Sequence, residues 1–399
     1  MNVLFVTREY PPFVVGGVAV HTYQLVKNIT KLGVSCKVLS FGDAKFSSEE
    51  VTFVNPSSSI IERGNVSLAL DMKIPVDIVR FSRIANRLLK KEKFDLIHVE
   101  EPYVGAFIAP RHNQVKVSTF HDTSYGEIKA MIGHSLDVSS LKRTLFYSSM
   151  GFYLEFMSIA SSRGLIVPTP QVKDELIKVY RTPKEKVEIV QNGVELPELN
   201  KLIDMTKAKQ KLGLNPETIL ILSVARLVSR KRLDLLVKAT KILQSEKLNQ
   251  YHVVIAGDGP DRPNLIHLVK KYGLENVIEM PGWISDEQKD LYYRAADIFV
   301  LTSDYEGFPF TMLEAMSYGV AIVNSRITSL SLLRDGLDCL LFPPRDFRAL
   351  SDCIRTLSNN PSLRMQLSTF ARRFAEKNSW KKIAEKTKNI YEHLVQSTV

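Results

Sequence analysis

Short apolar runs separated by polar loops recur along the chain. They predict strands of parallel sheets, because such strands are buried on both faces and are apolar throughout. The runs span residues 3–6, 34–39, 96–99, 117–120, 164–167, 187–190, 219–225, 252–256, 277–280, 298–301 and 321–324. Helical patterns cover residues 18–33, 78–92, 129–160, 170–180 and 233–245, and a further helix runs from Trp380. The alternation predicts an α/β protein with doubly wound, Rossmann-like units.

The chain has 399 residues, which is too long for one ordinary core and suggests two or three domains. The proline-bearing segment from Glu195 to Glu198 is the best linker. We therefore place an N-terminal domain at residues 1–197 and a second domain at residues 198–379.

The composition is 45% hydrophobic and 24% charged, as is normal for soluble globular proteins. No stretch reaches the roughly 18 apolar residues of a membrane span. The apolar run at residues 3–6 is short and Arg8 follows closely, so it indicates a first strand rather than a signal peptide. Three widely spaced cysteines, Cys36, Cys339 and Cys353, favour a reducing, cytoplasmic setting.

The formal net charge is +10, and much of the excess of basic residues in the second half of the chain lies between residues 364 and 388. They are the solvated face of terminal helices, or they contact an anionic membrane or a nucleic acid. We favour a solvated face and expect no nucleic-acid partner, because no nucleic-acid motif accompanies the charges.

The stretch from Asp297 to Gly319 carries the strongest chemical signal. A buried strand is followed by a polar loop at residues 302–307, and Pro309 is then the expected first residue of a helix. The backbone N–H groups of residues 308–311 would stabilise an anion there. Two carboxylates frame this position, Glu306 in the loop and Glu314 inside the helix.

This string, an acid followed by Gly307, Phe308 and Pro309 and then by Glu314, resembles the Glu-x7-Glu motif of the retaining family-four glycosyltransferases. The resemblance implies the GT-B fold, in which two doubly wound Rossmann-like domains face a central cleft and a C-terminal helix, here about residues 380–399, rejoins the first domain. It also implies that Glu306 contacts the donor sugar and that Glu314 binds the ribose hydroxyls.

Two motifs of the first half fit the same family. Gly16-Gly17 follows the first strand without the spaced glycines of the dinucleotide fingerprint. By resemblance, these glycines let the backbone approach the donor phosphates and the acceptor. His121 ends a strand in a string similar to the family's Thr-x-His-Asp, which implies that it faces the transferred sugar.

In the second half, Arg226 and Lys231 lie between a strand end and a helix start, which suits a phosphate site. The string resembles the family's loop that clamps the diphosphate, although Ala225 and Arg232 replace its usual glycines. Ile284 lies where relatives seat the base.

Three further segments carry weaker signals. The family often has Gly-Gly followed by Glu where this chain has residues 327–332, which puts details of donor-phosphate binding in question. Gly257-x-Gly259, followed by Pro260, is weak evidence for dinucleotide binding. An aromatic and basic segment at residues 142–147 is either helical core or a peripheral contact with a membrane.

We therefore predict a retaining hexosyltransferase that uses a UDP- or GDP-linked sugar and a hydroxyl acceptor. The chain contains no Asp-x-Asp pair, so we expect cations rather than a metal ion to stabilise the leaving diphosphate, and no cofactor is required. An epimerase or a phosphorylase on the same fold, a non-catalytic binding protein and a nucleic-acid binder are the alternatives.

Overall fold

The computed structural model describes residues 1–13, 16–55, 74–111, 114–131, 147–198, 204–246, 251–327 and 331–397. The chain divides into two compact units. Unit 1 consists of residues 1–193 and 380–399, and unit 2 of residues 194–379. The chain thus first passes from unit 1 to unit 2 after Gly193, whereas the predicted domain boundary lies after residue 197.

Unit 1 is built on a parallel sheet of seven strands with the order β3-β2-β1-β4-β5-β6-β7. The strands are β1 Asn2–Val6, β2 Ser35–Phe41, β3 Val51–Val54, β4 Leu96–Val99, β5 Val115–Thr119, β6 Gly164–Val167 and β7 Val187–Ile189. The sheet is buried on both faces where β4, β5 and β6 run, as their apolar sequences predict.

The helices of unit 1 connect these strands. They are α1 Gly17–Thr30, α2 Ile74–Lys91, α3 Pro102–Gly105, α4 Ser124–Met131, α5 Phe152–Ser161 and α6 Pro170–Lys178, with a π-helical turn at Tyr147–Gly151 and 3₁₀ turns at Ala44–Phe46 and Lys184–Lys186. Helix α6 shows why helices begin where they do: Pro170 lies at its start, and the Thr169 side chain accepts a hydrogen bond from the Val172 N–H.

Unit 2 repeats the plan with a parallel sheet of six strands, in the order β10-β9-β8-β11-β12-β13. The strands are β8 Ile219–Val224, β9 Tyr251–Ala256, β10 Ile278–Gly282, β11 Ile298–Leu301, β12 Ala321–Ser325 and β13 Leu340–Phe342. The helices are α7 Met205–Lys211, α8 Leu233–Glu246, α9 Arg262–Tyr272, α10 Asp286–Ala295, α11 Phe310–Ser317, α12 Phe347–Asn359 and α13 Pro361–Lys377, with a 3₁₀ turn at Ser229–Lys231.

Each sheet reverses its strand order once. In unit 1 the reversal lies between β1 and β4, and in unit 2 between β8 and β11. Ligands of such sheets bind beyond the carboxyl ends of the strands at this switch point. The two reversals therefore mark where functional side chains are expected in each unit.

The last helix, α14 Trp380–Gln396, belongs to unit 1. Trp380 is buried against Gly193, where an added Cβ atom would lie 2.4 Å from the indole ring. Further along the helix, the Tyr391 hydroxyl contacts buried His98, and Lys388 donates to the Leu32 carbonyl at 3.0 Å. Gly193 is thus needed because the indole occupies the space that a side chain would take.

The predicted strands all occur, and the structure adds one strand to each sheet, β3 in unit 1 and β13 in unit 2. Strand β3 was not predicted, because Val51–Val54 is short and lies at the sheet edge. Within the helix predicted over residues 129–160, the described residues are helical: α4 reaches Met131, a π-helical turn spans Tyr147–Gly151, and α5 begins at Phe152. Residues 142–146 of the aromatic and basic segment, and residues 328–330 of the atypical segment, lie outside the described residues.

The structure bears on two predictions made from the composition, one about membrane-spanning segments and one about the basic residues near the end of the chain. No helix in the described parts of the chain is both long and apolar enough to cross a membrane. On α13 and α14 the exposed basic residues are Arg373, Lys377, Lys381, Lys382 and Lys386. Their exposure fits the interpretation of these charges as a solvated helix face.

Candidate functional site

The switch point of unit 2 gathers three of the predicted residues. Strands β8 and β11 run side by side, and the chain leaves their carboxyl ends in two loops. The first loop carries Arg226 and Lys231, and the second carries Glu306. Lys231 and Glu306 are 75 positions apart in the chain and are brought into contact there.

The Lys231 ammonium and the Glu306 carboxylate form an ion pair. Nζ of Lys231 lies 2.5 Å from Oε1 of Glu306, and the side chains are only 14% and 7% exposed. The Ser303 hydroxyl donates to the same oxygen, and the Thr302 hydroxyl donates to the Lys231 carbonyl at 2.6 Å. Burial raises the pKa of Glu306, but the charges of Lys231 and Arg230 outweigh it, so the pKa is lowered. Glu306 is therefore an ionised carboxylate of fixed orientation.

The loop that carries Arg226 rests on the backbone of the loop after β9. The Leu227 N–H donates to the Asp258 carbonyl at 2.9 Å. A Cβ atom on Gly257 would lie 1.9 Å from a carbonyl oxygen of the Arg226 loop, and one on Gly259 would lie 2.3 Å from another. The Gly-x-Gly pair is thus explained by backbone packing beneath an exposed arginine, a role that the sequence alone did not indicate.

Arg232 keeps the backbone shape that a glycine would give. Its φ of 49° and ψ of 38° lie in the left-handed region. Its guanidinium is 3.0 Å from Asp234 and 3.5 Å from Asp304. Arg345, also at positive φ, lies 3.1 Å from Asp304. The replacement of the family's usual glycine therefore leaves the loop in a glycine-like conformation, and ion pairs offset the cost of that conformation.

Glu314 lies on α11 with both carboxylate oxygens engaged. Oε1 accepts from Lys289 Nζ at 3.1 Å, and Oε2 accepts from the Tyr293 hydroxyl at 2.8 Å. Its side chain is still 25% exposed. Ile284, the residue expected at the base, is buried, whereas its neighbour Trp283 is 77% exposed.

The start of α11 differs from the prediction by one residue. Pro309 has an extended ψ of 122° and is the N-cap, so the helix begins at Phe310. Because proline has no N–H, Pro309 cannot supply one of the amides expected from residues 308–311. Phe308 is buried beside it, and Gly307 connects it to Glu306.

In unit 1, the paired glycines stand at the start of α1. Gly16 is the N-cap with an extended φ of −155°, and Gly17 is the first helical residue. The Glu9 carboxylate accepts a hydrogen bond from the Gly16 N–H at 2.9 Å. An added Cβ on Gly16 would meet Glu9 only at an ordinary contact distance of 3.5 Å. Neither backbone conformation nor packing within the described residues requires a glycine at position 16.

His121 lies at the carboxyl end of β5 and pairs with Glu100, which follows β4. Its Nε2 is 3.2 Å from a Glu100 carboxylate oxygen, with side-chain exposures of 15% for the histidine and 0% for the glutamate. His21 and His98 each approach Glu100 to 3.7 Å. Burial alone would raise the pKa of Glu100, but the surrounding imidazoles lower it to about 2.

The three imidazoles differ in their charge at neutral pH. Burial lowers the pKa of His21 to about 4 and also lowers the pKa of His98. Burial lowers the pKa of His121 as well, but its hydrogen bond to Glu100 and the Glu100 charge outweigh this, so the pKa is raised. Among these three, His121 is therefore the cation that balances Glu100.

Among the described residues, His21, Glu100 and His121 also form a group whose nitrogen and oxygen donors lie within 4.8 Å of one another. That spacing is short enough for one metal ion. The same atoms are accounted for by the hydrogen bond between His121 and Glu100 and by its neighbouring contacts. We interpret the group as an ion-pair network.

The predicted residues thus fall into two sets. Unit 2 holds Arg226, Lys231, Ile284, Glu306, Gly307, Phe308, Pro309 and Glu314, whereas unit 1 holds Gly16, Gly17 and His121. Sequence reasoning missed Glu9 and Glu100 as partners of Gly16 and His121. A signal was available for Glu100, because it comes just after β4, the neighbour of the strand that His121 follows.

Two family models match the chain. The model described as Glycosyltransferase Family 4 matches residues 15–198, and that described as Glycosyl transferases group 1 matches residues 204–374. An uncharacterized glycosyltransferase of Methanocaldococcus jannaschii is 25% identical over 406 residues, which span 98% of each chain.

Solved structures share the fold at low sequence identity. Sucrose-phosphate synthase from Thermosynechococcus elongatus superposes with a TM-score of 0.80 at 19% identity and covers 99% of both chains. The Anabaena protein HepE, solved in complex with UDP, gives a TM-score of 0.72 at 17% identity and covers 98% of this chain and 100% of its own. The likeness spans both units and establishes the architecture.

The backbone packing under Arg226 generates a prediction. Gly257→Ala should disturb the Arg226 loop, because its Cβ would overlap a carbonyl oxygen. Gly213→Ala is the matched control: Gly213 also has a positive φ, but nothing lies within 4 Å of its added Cβ. We expect the control to cost roughly 1–2 kcal/mol of unfolding free energy through conformational strain. Gly257→Ala should cost on the order of 1–3 kcal/mol more through overpacking, to which its φ of 130°, outside the left-handed helical region, adds strain.

Urea denaturation gives the free energy of unfolding of each variant. Calorimetric titration with UDP and GDP shows whether the Arg226 loop still binds nucleotide. Equal destabilisation of the two variants, with unchanged nucleotide binding, would show that the Gly257 contact does not support the Arg226 loop.

Proposed function

This chain is a glycosyltransferase of the group 1, family-four type with the two-domain α/β GT-B fold, and we propose that it transfers a hexose from a nucleoside-diphosphate sugar to a hydroxyl acceptor. We further propose that the anomeric configuration of the sugar is retained. The observation that carries the proposal is the ion pair of Lys231 with Glu306 at the switch point of unit 2, where exposed Arg226 lies in the same loop as Lys231.

The three side chains suit the donor. Arg226 and Lys231 bind the diphosphate and stabilise the negative charge that develops on it as the glycosidic bond breaks. An ammonium group has three N–H donors, so Lys231 can hold Glu306 and a phosphate oxygen together. The fixed carboxylate of Glu306 then accepts hydrogen bonds from hydroxyls of the sugar, while the amides at the start of α11 add further donors.

The remaining residues take supporting roles. Glu314 accepts from the ribose hydroxyls, since an ionised carboxylate offers two oxygens to a vicinal diol. Ile284 lines the position of the base, and His121 acts on the transferred sugar. Gly16 and Gly17 let the backbone approach substrate, which is consistent with the absence of an internal need for Gly16.

The donor is UDP- or GDP-linked. The Anabaena relative in fold was solved with UDP and also with UDP-glucose, which supports a nucleotide sugar as the partner. Transfer proceeds on the front face of the sugar, where the leaving phosphate helps to deprotonate the acceptor. No metal ion is needed, because Arg226 and Lys231 supply the positive charge.

Arg226 and Lys231 together form the proposed phosphate clamp, which substitutions can test. Arg226→Ala and Lys231→Ala should each lower kcat/KM by about a hundredfold or more, the scale seen when one donor is removed from a developing charge. Arg226→Lys should also be poor, because an ammonium cannot reproduce the forked contact of a guanidinium with phosphate. Initial rates with the matched donor, in the presence and absence of EDTA, provide the measurement.

The melting temperatures of the variants should distinguish the roles of Arg226 and Lys231. Arg226 is exposed, so its alanine variant should keep the wild-type melting temperature, whereas Lys231→Ala leaves buried Glu306 without its ammonium and should melt earlier. Arg355→Ala, a partly exposed arginine on α12, is the control. Unimpaired alanine variants, or full loss with EDTA that Mg²⁺ restores, would overturn the clamp.

The two carboxylates should respond differently to neutralisation. Glu306→Gln should mainly lower kcat, because the carboxylate meets the reacting sugar. Glu314→Gln should mainly weaken nucleotide binding, by on the order of 1.5–3 kcal/mol for one charge-assisted hydrogen bond. Steady-state kinetics and calorimetry separate the effects, with exposed Glu376→Gln as the control. Wild-type efficiency in both variants would refute the assignment.

We also propose that the enzyme is cytoplasmic and contacts the inner face of a membrane peripherally. The supporting observation is an apolar face of α5, on which Tyr153, Phe156 and Met157 are exposed by 54%, 48% and 36%. Flotation with liposomes, with and without acidic lipid, is the measurement. We expect lipid-dependent flotation at low salt that weakens as salt screens the basic residues. Its absence at low salt would end this part of the proposal.

A further inference from the structure

Glu100 is a fully buried carboxylate that the reaction described above does not use. It follows β4, the strand that borders the switch point of unit 1. One of its oxygens lies 3.2 Å from His121 Nε2 and 3.7 Å from His21 Nε2, and its other oxygen lies 3.7 Å from His98 Nε2. A buried carboxylate needs a cation or several donors, so its partners decide its role.

The partners of His98 leave it neutral. Its Nε2 is 2.7 Å from the Thr119 hydroxyl, and its Nδ1 contacts the hydroxyl of Tyr391 on α14. Hydroxyl groups can both donate and accept, so these two contacts are satisfied by an uncharged imidazole. His98 therefore acts as a structural link between the sheet and α14.

His21 packs against His121 and does not carry the positive charge that balances Glu100. The two rings are 4.8 Å apart and nearly perpendicular, and Trp380 lies 5.3 Å behind His21. Burial keeps the pKa of His21 low, at about 4. His121 is thus packed against a neutral aromatic ring and held at Nε2 by a carboxylate.

This arrangement fixes what His121 can offer to a substrate. Because Nε2 is directed to buried Glu100, Nδ1 is the ring atom left for substrate. Nδ1 is a hydrogen-bond donor when the ring is charged and an acceptor when it is neutral with its proton on Nε2. Glu100 therefore determines both the orientation of the ring and the role of its second nitrogen.

We propose that Glu100 is a positioning residue for the transfer reaction, which holds His121 as an imidazolium whose Nδ1 donates to the substrate. The proposal rests on the proposed glycosyl transfer. Other charged groups face the same histidine: Glu101 after β4 and Asp122 beside it both favour its protonated form. Arg8 offsets Glu101, since its guanidinium lies 3.1 Å from that carboxylate.

The pH dependence follows from the sign of the pKa shift. The pKa of His121 is raised, so the protonated form is present below that pKa and is lost as pH rises through it. Glu100→Gln keeps the size of the side chain and removes its charge, so that only the smaller effects of Asp122 and Glu101 oppose the lowering of the His121 pKa by burial. We expect the alkaline limb of the kcat/KM profile to move to lower pH by about 1–3 units.

The experiment has two readouts on the full-length chain in a chelator-containing buffer, so that no metal ion competes for the side chains. Imidazole resonances are followed by NMR from pH 5 to 9, with His121 assigned from the His121→Asn variant. The kcat/KM profile is recorded over the same range for wild type, Glu100→Gln and Glu100→Asp. Glu155→Gln is the matched control, because Glu155 is also fully buried in unit 1 but contacts Tyr180 and Ser124 rather than His121.

We expect His121 to titrate above 6.5 in the wild type and in the control, to titrate below 6.5 in Glu100→Gln, and to recover in part in Glu100→Asp. Titration of wild-type His121 below 6.5 would overturn the proposal even if no Glu100 variant folds. So would a rate loss in Glu100→Gln that is the same at every pH. If wild type transfers no sugar, the proposed function fails, while the NMR titration still tests the ion pair.

Discussion

The ion pair between Lys231 and Glu306 is the contact on which the proposed donor site depends. Both side chains are largely withdrawn from water, so neither charge is stable alone. Their meeting requires β8 and β11 to be neighbours, which the doubly wound order provides. The pair fixes the loops after β8 and β11. The first of these loops carries Arg226, and the second leads into α11.

Both units contain an ion pair at the carboxyl ends of neighbouring strands, but the basic partner differs. In unit 2 a buried carboxylate after β11 meets a lysine from the loop after β8, and in unit 1 a buried carboxylate after β4 meets a histidine from the end of β5. Lysine side chains ordinarily titrate well above neutral pH, whereas the histidine of unit 1 depends on its carboxylate for its charge. A clamp for phosphate and a pH-sensitive donor can therefore arise from one topology.

Much of this could be predicted from the sequence, because the strands are continuous apolar runs and the acid-Gly-Phe-Pro string is specific. What escaped prediction depends on contacts between distant residues. The role of Glu100 depends on His121, which follows a neighbouring strand, and Gly257 looked like a weak nucleotide motif until the backbone beneath Arg226 was seen. Arg232 suggested an altered loop, yet it adopts the left-handed conformation itself. Pro309 was placed one position too far into its helix, since local sequence does not distinguish the N-cap from the first turn.

The central claim is that fixed cations of unit 2, rather than a metal ion, hold the donor diphosphate. Calorimetric titration of the wild-type chain with UDP and GDP, compared with uridine and guanosine in buffer containing EDTA, tests it most directly. Two charge-assisted contacts of about 1.5–3 kcal/mol each should make the preferred diphosphate bind on the order of a hundredfold or more tighter than its nucleoside. Equal affinity for nucleoside and diphosphate, or tight binding that appears only when Mg²⁺ replaces EDTA, would contradict the account.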